Sequence, residues 1–361
     1  QSTSLPRNFG VARFPCVAFV SDELSPGRLQ TMMKLSSMKT VFQTVDVQGF
    51  SPVADELLSA WEFTPGTNRV VRASSNFIFT FQNRSQKYIL RFVCAAERER
   101  MAIQAEMDLL NVLANRDMHV NRPIASKIGK LVETIETSCG IYHAVVLEYL
   151  QGVIYEYDEL VPVQFRKWGK TLAELHNRME GLSYRHRPTW KSLIADAEIE
   201  LTGFSERSAL NELRKQLEAL PLDSQNFGLI HYDFELDNLI WQEDQPGIID
   251  FDDCAACWFC ADIALALRDL FGDRASQMDL QHPSLIEFVT GYRESRPLSD
   301  LELAYLPLML GLSNLLKYAE LRKILAEPSE PGEPNWMMHL RQKLGALTDT
   351  YQREINLFAL S

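Results

Sequence analysis

Two short apolar runs, residues 227–230 and 247–249, each open onto a cluster of acidic and polar residues, and no other feature constrains this chain as tightly. The first run leads into His231-Tyr232-Asp233-Phe234-Glu235-Leu236-Asp237-Asn238. The second leads into Asp250-Phe251-Asp252-Asp253, with Asp250 twelve residues beyond Asn238. Apolar runs of this length, bounded by turn residues, read as buried strands that deliver polar side chains to a surface. The chain is therefore expected to build a pair of acidic loops on short strands.

The spacing H-x-D-x-x-x-x-N, then D-F, supplies the groups that phosphoryl transfer requires. A carboxylate must orient the attacking hydroxyl and accept its proton. One amide oxygen and one carboxylate oxygen must hold magnesium on the nucleotide phosphates. Asp233, Asn238 and Asp250 provide these in order, which makes ATP and Mg2+ the expected cofactors. Taken singly, each has an ordinary explanation: a His-x-Asp is usually a loop hydrogen bond, and an Asp-Phe-Asp usually a strand end.

At 361 residues the chain is long enough for two lobes, each with its own core. Its apolar stretches fall far short of the roughly 20 residues of a membrane span, and no basic run suggests nucleic acid. Charge is unevenly placed. Residues 1–150 hold 14 Asp+Glu against 16 Lys+Arg, whereas residues 151–361 hold 34 against 20. The acidic excess lies in the half that carries the acidic loops. It fits either a cationic substrate or a solvated surface that aids solubility. The six cysteines are scattered, which fits a reducing cytoplasm better than a disulfide framework. Cys254, Cys257 and Cys260 stand at three-residue steps without a fourth ligand, so they read as small buried side chains. Residues 1–37 begin with Gln1 and carry Pro6, Pro15 and Pro26; they read as an N-terminal extension, with Met38 a plausible start.

Residues 61–93 read as β-strands, with Asn76 to Phe81 and Lys87 to Phe92 rich in aromatic and β-branched residues. Residues 97–113 read as a helix with Met101, Ala105, Leu109 and Val112 on one side and Leu110 and Leu113 beside them, and further strands are expected at 128–135 and 141–147. Beyond Gly152 the chain reads as mostly helical, with helices at 165–179, 301–325 and 336–360. The expected fold is α+β and two-lobed. A small lobe, residues 38–150, has an antiparallel sheet and one helix; a larger, mostly helical lobe, residues 151–361, carries the acidic loops.

From about Trp61 to at least Leu270 the sequence resembles the aminoglycoside phosphotransferase and choline-kinase-like family, a branch of the protein-kinase-like fold. Leu172-Ala173-Glu174-Leu175-His176 resembles that family's L-A-x-L-H helix, which packs under the catalytic loop. The resemblance implies that Asp233 is the catalytic carboxylate, Asn238 and Asp250 the metal ligands, His231 a support of the loop, and Asp262 a brace on a following helix. Tyr88-Ile89-Leu90-Arg91 sits where kinases carry V-A-I-K, which implies that Arg91 holds nucleotide phosphates and Glu106 pairs with it; Lys87 is a weaker candidate. Ser74-Ser75-Asn76 resembles the nucleotide-covering loop, without its glycines, and Glu148 with Tyr149 the hinge that meets adenine. Tyr232 stands where many relatives have glycine, and Asp252 or Asp253 would touch a cationic substrate.

The expected activity is transfer of the ATP γ-phosphoryl group to a hydroxyl of a small molecule, of aminoglycoside or amino-alcohol type. A protein Ser/Thr kinase on the same fold shares every residue named above. A nucleotide-binding pseudokinase scaffold and a metal-dependent hydrolase are the other readings, and the latter leaves Arg91 and Glu106 without a role.

Overall fold

The computed structural model describes residues 32–272, 274–329 and 332–358. Residues 1–31, most of the expected extension, lie outside the described residues. The small lobe opens with α1 (Leu35–Phe42) and α2 (Pro52–Leu58), followed by strands β1 (Arg69–Ala73), β2 (Phe77–Asn83) and β3 (Gln86–Cys94). Helix α3 (Arg100–Asn115) precedes β4 (Pro123–Ile124), β5 (Glu133–Thr137) and β6 (Gly140–Glu148). The sheet runs β1-β2-β3-β6-β4 with β5 also on β6, and every pair is antiparallel.

Alternation along β2 sets the two faces of this sheet. Phe77, Phe79 and Phe81 are buried, while Ile78 and Thr80 point the other way. Phe77 stacks on Phe92 at 4.9 Å between ring centroids, and Phe42 of α1 meets Phe77 edge-on at 6.3 Å. Fully burying one such phenyl ring stabilises by roughly 1.5–3 kcal/mol, so this face is the core of the lobe. Two helices therefore precede the sheet in addition to α3. Helix α1 begins at Leu35, and the Glu327 carboxylate accepts from the free N–H groups of Leu35 (2.8 Å) and Ser36 (3.1 Å) at its positive end. Met33, Leu35 and Met38 are all buried in the same core.

Strand β1 is irregular. Val70 pairs with Phe79, but the next partner of β2, Ile78, is met by Arg72, so Val71 is an extra residue in a bulge. In an unbroken strand Arg72 would share a face with Val70; the bulge turns it to the opposite face.

The lobes join through residues 149–152. Gly152 has φ +150°, and a Cβ there would lie 2.4 Å from the Trp241 carbonyl oxygen. The close approach lets Val153 and Trp241 exchange backbone hydrogen bonds of 2.9 and 2.8 Å.

The large lobe contains α4 (Pro162–Met179), α5 (Trp190–Glu200), α6 (Phe204–Glu218), the short strands β7 (Phe227–Ile230), β8 (Leu239–Gln242), β9 (Gln245–Ile248) and β10 (Ala255–Trp258), then α7 (Phe259–Ala266). It closes with α8 (Pro283–Ser295), α9 (Asp300–Ala304), α10 (Leu306–Leu325) and α11 (Asn335–Phe358). Strand β7 pairs with β10, and β8 with β9. Helices α4 and α8 touch backbone to backbone: a Cβ on Gly169 would lie 1.9 Å from Phe288 O, and one on Gly291 1.8 Å from Arg166 O.

Three expectations shift. The strand expected at 128–135 starts only at Glu133, because residues 127–130 form a turn in which Ile128 is exposed. The single helix expected at 301–325 is two, parted at Tyr305 with Pro307 in the first turn of α10, where its missing N–H costs nothing. Helix α3 buries Leu109, Leu110 and Leu113 as expected, together with Ile103, Glu106 and Met107, but it exposes Met101, so the expected inner face fails at its first turn.

Candidate functional site

The catalytic-loop candidates are fixed from below by one buried carboxylate. Asp262, on α7, accepts from the backbone N–H groups of His231 (2.8 Å) and Tyr232 (2.6 Å), and from His176 Nε2 (3.0 Å). His176, on α4, also meets the Tyr292 hydroxyl on α8 through Nδ1 at 2.8 Å. Burial lowers the His176 pKa, so the neutral ring donates from Nε2 to Asp262 and accepts at Nδ1. The L-A-E-L-H helix thus braces the loop through this histidine.

His231 links the two acidic loops. Burial holds it neutral as well. Its Nε2 donates to the Ile249 carbonyl (3.1 Å), one residue before Asp250, and its Nδ1 accepts from the Asp233 N–H (3.3 Å). Both loops bend through left-handed backbone, with φ +68° at Tyr232 and +64° at Asp250. That region suits glycine, which explains why a residue with a side chain at position 232 is a departure; it costs roughly 1–2 kcal/mol. The N–H bond to Asp262 and the burial of the ring offset it.

Asp233 and Asn238 are brought together. The Asn238 amide donates to Asp233 Oδ2 (2.7 Å) and to the Asp233 carbonyl (2.8 Å). Burial pushes the Asp233 carboxyl up, against the pull of Arg268. Arg268, itself fully buried, lies 3.5 Å from Asp233 Oδ1 and pairs with Glu235. Sequence reasoning missed Arg268; it lies beyond α7 with no motif around it.

Asp250 faces the small lobe between two arginines. Arg72 Nη2 lies 2.6 Å from its Oδ2, and Arg91 Nη1 3.7 Å from its Oδ1. Burial, with Asp252 close by, pushes the Asp250 carboxyl up to about 7 despite both cations. Arg91 and Glu106 form the expected pair, with Nη1–Oε1 and Nη2–Oε2 distances of 2.7 and 2.5 Å, both side chains almost fully buried. Arg72 was not anticipated, since strand alternation hides it on the core face.

Asp252 is already held by the protein. The Asn76 amide donates to Asp252 Oδ2 (2.6 Å), which also accepts from Arg98 Nη1 (2.7 Å). Arg98 therefore holds the Asp252 carboxyl well below the usual range, and a cationic substrate would have to displace two protein donors to use it. Ser74 accepts from the Met33 N–H and its own N–H donates to Asn76 O, so residues 74–76 form a tight turn between β1 and β2. Glu148 ends β6, and Lys87 stands over the Tyr149 ring at 4.2 Å. Cys254, Cys257 and Cys260 are buried thiols whose pKa values burial raises.

A cavity of about 200 Å³ opens between α3, the segment after Asp250 and α10. Tyr232, Asp252, Asp253, Arg187, Ser313 and Lys317 are among its lining. Arg187 ties the segment down, donating to the carbonyls of Phe251 (2.9 Å) and Cys254 (2.9 Å).

The sequence pattern of the phosphotransferase enzyme family matches residues 69–298. Amicoumacin kinase of Bacillus subtilis is 25% identical over 293 residues, which cover 75% of this chain and 84% of that protein. Homoserine kinase of Rhodospirillum rubrum is 29% identical over 217 residues, 56% of this chain and 63% of that one. Among solved structures, an amicoumacin kinase in complex with AMP-PNP, Ca2+ and Ami superposes with a TM-score of 0.71 at 21% identity, covering 84% of this chain and 92% of that one. A microcompartment-associated aminopropanol kinase gives 0.60 at 22% identity, covering 86% and 98%. At such identities the structural likeness is one of fold.

Proposed function

This chain belongs to the phosphotransferase enzyme family, and from that premise we propose that it transfers the ATP γ-phosphoryl group to a hydroxyl of a small molecule, with Asp233 receiving the proton. The observation that carries the reading is the 2.7 Å bond from Asn238 to Asp233, on a loop that His231 ties to Asp250. That bond aims one Asp233 oxygen. Burial strengthens the carboxylate as a base, and general-base help of this kind contributes roughly 10²- to 10⁴-fold.

The residues present fit a divalent cation. Asp233 Oδ1 and Asp250 Oδ1 are buried without a hydrogen-bond partner, and hard oxygen donors of this type suit Mg2+. Asn238, its amide nitrogen committed to Asp233, would offer its oxygen beside Asp250. The metal would supply charge neutralisation on the nucleotide phosphates. Arg91, held by Glu106, would add a fixed positive charge, with Glu148 and Tyr149 at the adenine end and the 74–76 turn above the phosphates.

The acceptor side is proposed to be the cavity walled by Tyr232, the neighbour of Asp233. The relatives' names (amicoumacin, aminopropanol and homoserine kinases) are those of small-molecule kinases and give no support to a protein acceptor. Five free thiols among the described residues fit work in a reducing cytoplasm.

The test is ADP release with Mg2+ and a panel of amino alcohols, hydroxy amino acids, aminoglycosides and Ser/Thr peptides. Turnover with a small alcohol, abolished in Asp233→Asn while ATP still binds, is the expected result. Turnover with peptides alone, or full activity in Asp233→Asn, refutes it.

A further inference from the structure

Arg91 stands where a kinase has lysine, and the two side chains divide their hydrogen bonds differently. A lysine ammonium carries three donors that point apart, so one residue can serve both the helix glutamate and the phosphates. The guanidinium of Arg91 has both terminal nitrogens on Glu106, at 2.7 and 2.5 Å, in one rigid plane. Its side chain is only 5% exposed. Arg91 is well placed as a fixed charge and poorly placed to follow a phosphate that moves during transfer.

A second arginine stands beside it. The register runs Arg72 opposite Ile78 and Ile78 opposite Arg91, so the three share one face of the sheet in a row. Two strand spacings separate the arginines, roughly 10 Å between Cα atoms. Arg72 is in that row only because Val71 is bulged out of β1. Bulges of this kind re-aim side chains beside active sites. Arg72 Nη2 donates to Asp250 Oδ2 at 2.6 Å, and its side chain keeps 27% of its exposure. Both arginines converge on Asp250 from different strands, one nearly buried and bound to Glu106, the other partly exposed.

We propose that Arg72 is a phosphate-binding residue for the β- and γ-phosphoryl groups of the nucleotide, and that it rests on Asp250 when no nucleotide is bound. This rests on the kinase reading above. Arg91 then acts as the fixed charge and Arg72 as the one that changes partner.

The test uses the full chain, titrated calorimetrically with Mg2+ and either ADP or AMP, for the parent, Arg72→Met and Arg72→Lys, with melting curves to show that each is folded. A lost charge-assisted contact should weaken ADP binding by about tenfold or more in Arg72→Met. AMP, which lacks the outer phosphate, should change by less than about twofold, and Arg72→Lys should recover part of the ADP affinity. A merely structural role would lower the melting temperature and weaken both nucleotides alike, and that result overturns the proposal. So does ADP binding in Arg72→Met that equals the parent's. A parent that binds no ADP refutes the kinase reading itself, and the proposal with it.

Discussion

Removing the Arg91 and Glu106 charges together should cost less than the sum of removing each alone. Both side chains are nearly fully buried, and two short bonds join them. Removing one partner from such a pair leaves a bare charge out of water, at a cost of about 3–5 kcal/mol. Glu106→Leu should fall near 3 kcal/mol, because Asp250, 3.7 Å from Arg91, takes over part of the compensation. Arg91→Met should fall near 4 kcal/mol, since it strands Glu106 and also leaves Asp250 with one cation fewer. The double variant removes both charges and fills the space with apolar atoms, a change that is often near neutral, and it should lose no more than about 4 kcal/mol. The coupling is then about 3 kcal/mol. Urea unfolding of the four proteins in nucleotide-free, metal-free buffer measures it. If the double variant loses the sum of the two single losses, the desolvation argument is wrong.

Asp262→Ala removes the acceptor for two backbone N–H groups and His176, so it should cost at least about 3 kcal/mol and depress turnover; an unfolding midpoint close to the parent's would contradict the bracing role. Gly169→Ala drives a methyl into the Phe288 carbonyl, and a loss of about 1–3 kcal/mol by chemical denaturation is expected, against no loss if α4 and α8 can part freely. The pH dependence has a defined sign. The folded Asp250 pKa, about 7, lies above its unfolded value of about 3.8, so this group's contribution to stability is full at low pH and is lost as pH rises from about 4 to 7. Asp250→Asn in metal-free buffer should therefore gain on the parent across that window, by up to about 1.4 kcal/mol per pH unit; parallel stability curves would refute it. His176 and His231, lowered by burial, act in the opposite sense, and the stability they confer is lost as pH falls below about 6.5.

The site candidates set by fixed spacing were legible in the sequence. Asp233, Asn238 and Asp250 lie on loops whose flanking strands are short apolar runs, so local pattern located them. The Arg91–Glu106 pair was legible through the family resemblance, which implied an ion pair between that strand and the following helix. Arg72 and Arg268 were not, because a bulge and a buried non-local ion pair decide their direction, and neither leaves a mark on hydrophobic periodicity. On α3 only Met101 was misjudged: it continues the apolar period but lies in the first turn, where it is exposed. Asp252 looked free to receive a cation, since nothing local shows that Arg98 and Asn76 already hold it.

The bulge in β1 carries a consequence for insertions and deletions. Deleting Val71 would leave Val70 opposite Phe79 and Arg72 opposite Ile78 in an unbroken ladder, with every later partner unchanged. Such a deletion should be borne well. Deleting Val70 in place of Val71 removes a buried side chain from the core, and adding a residue between Arg72 and Ala73 alters the turn into β2. An alignment that pairs this strand with a relative's unbulged one needs its gap at position 71, and a gap one place further on exchanges the arginine that meets Asp250 for a valine.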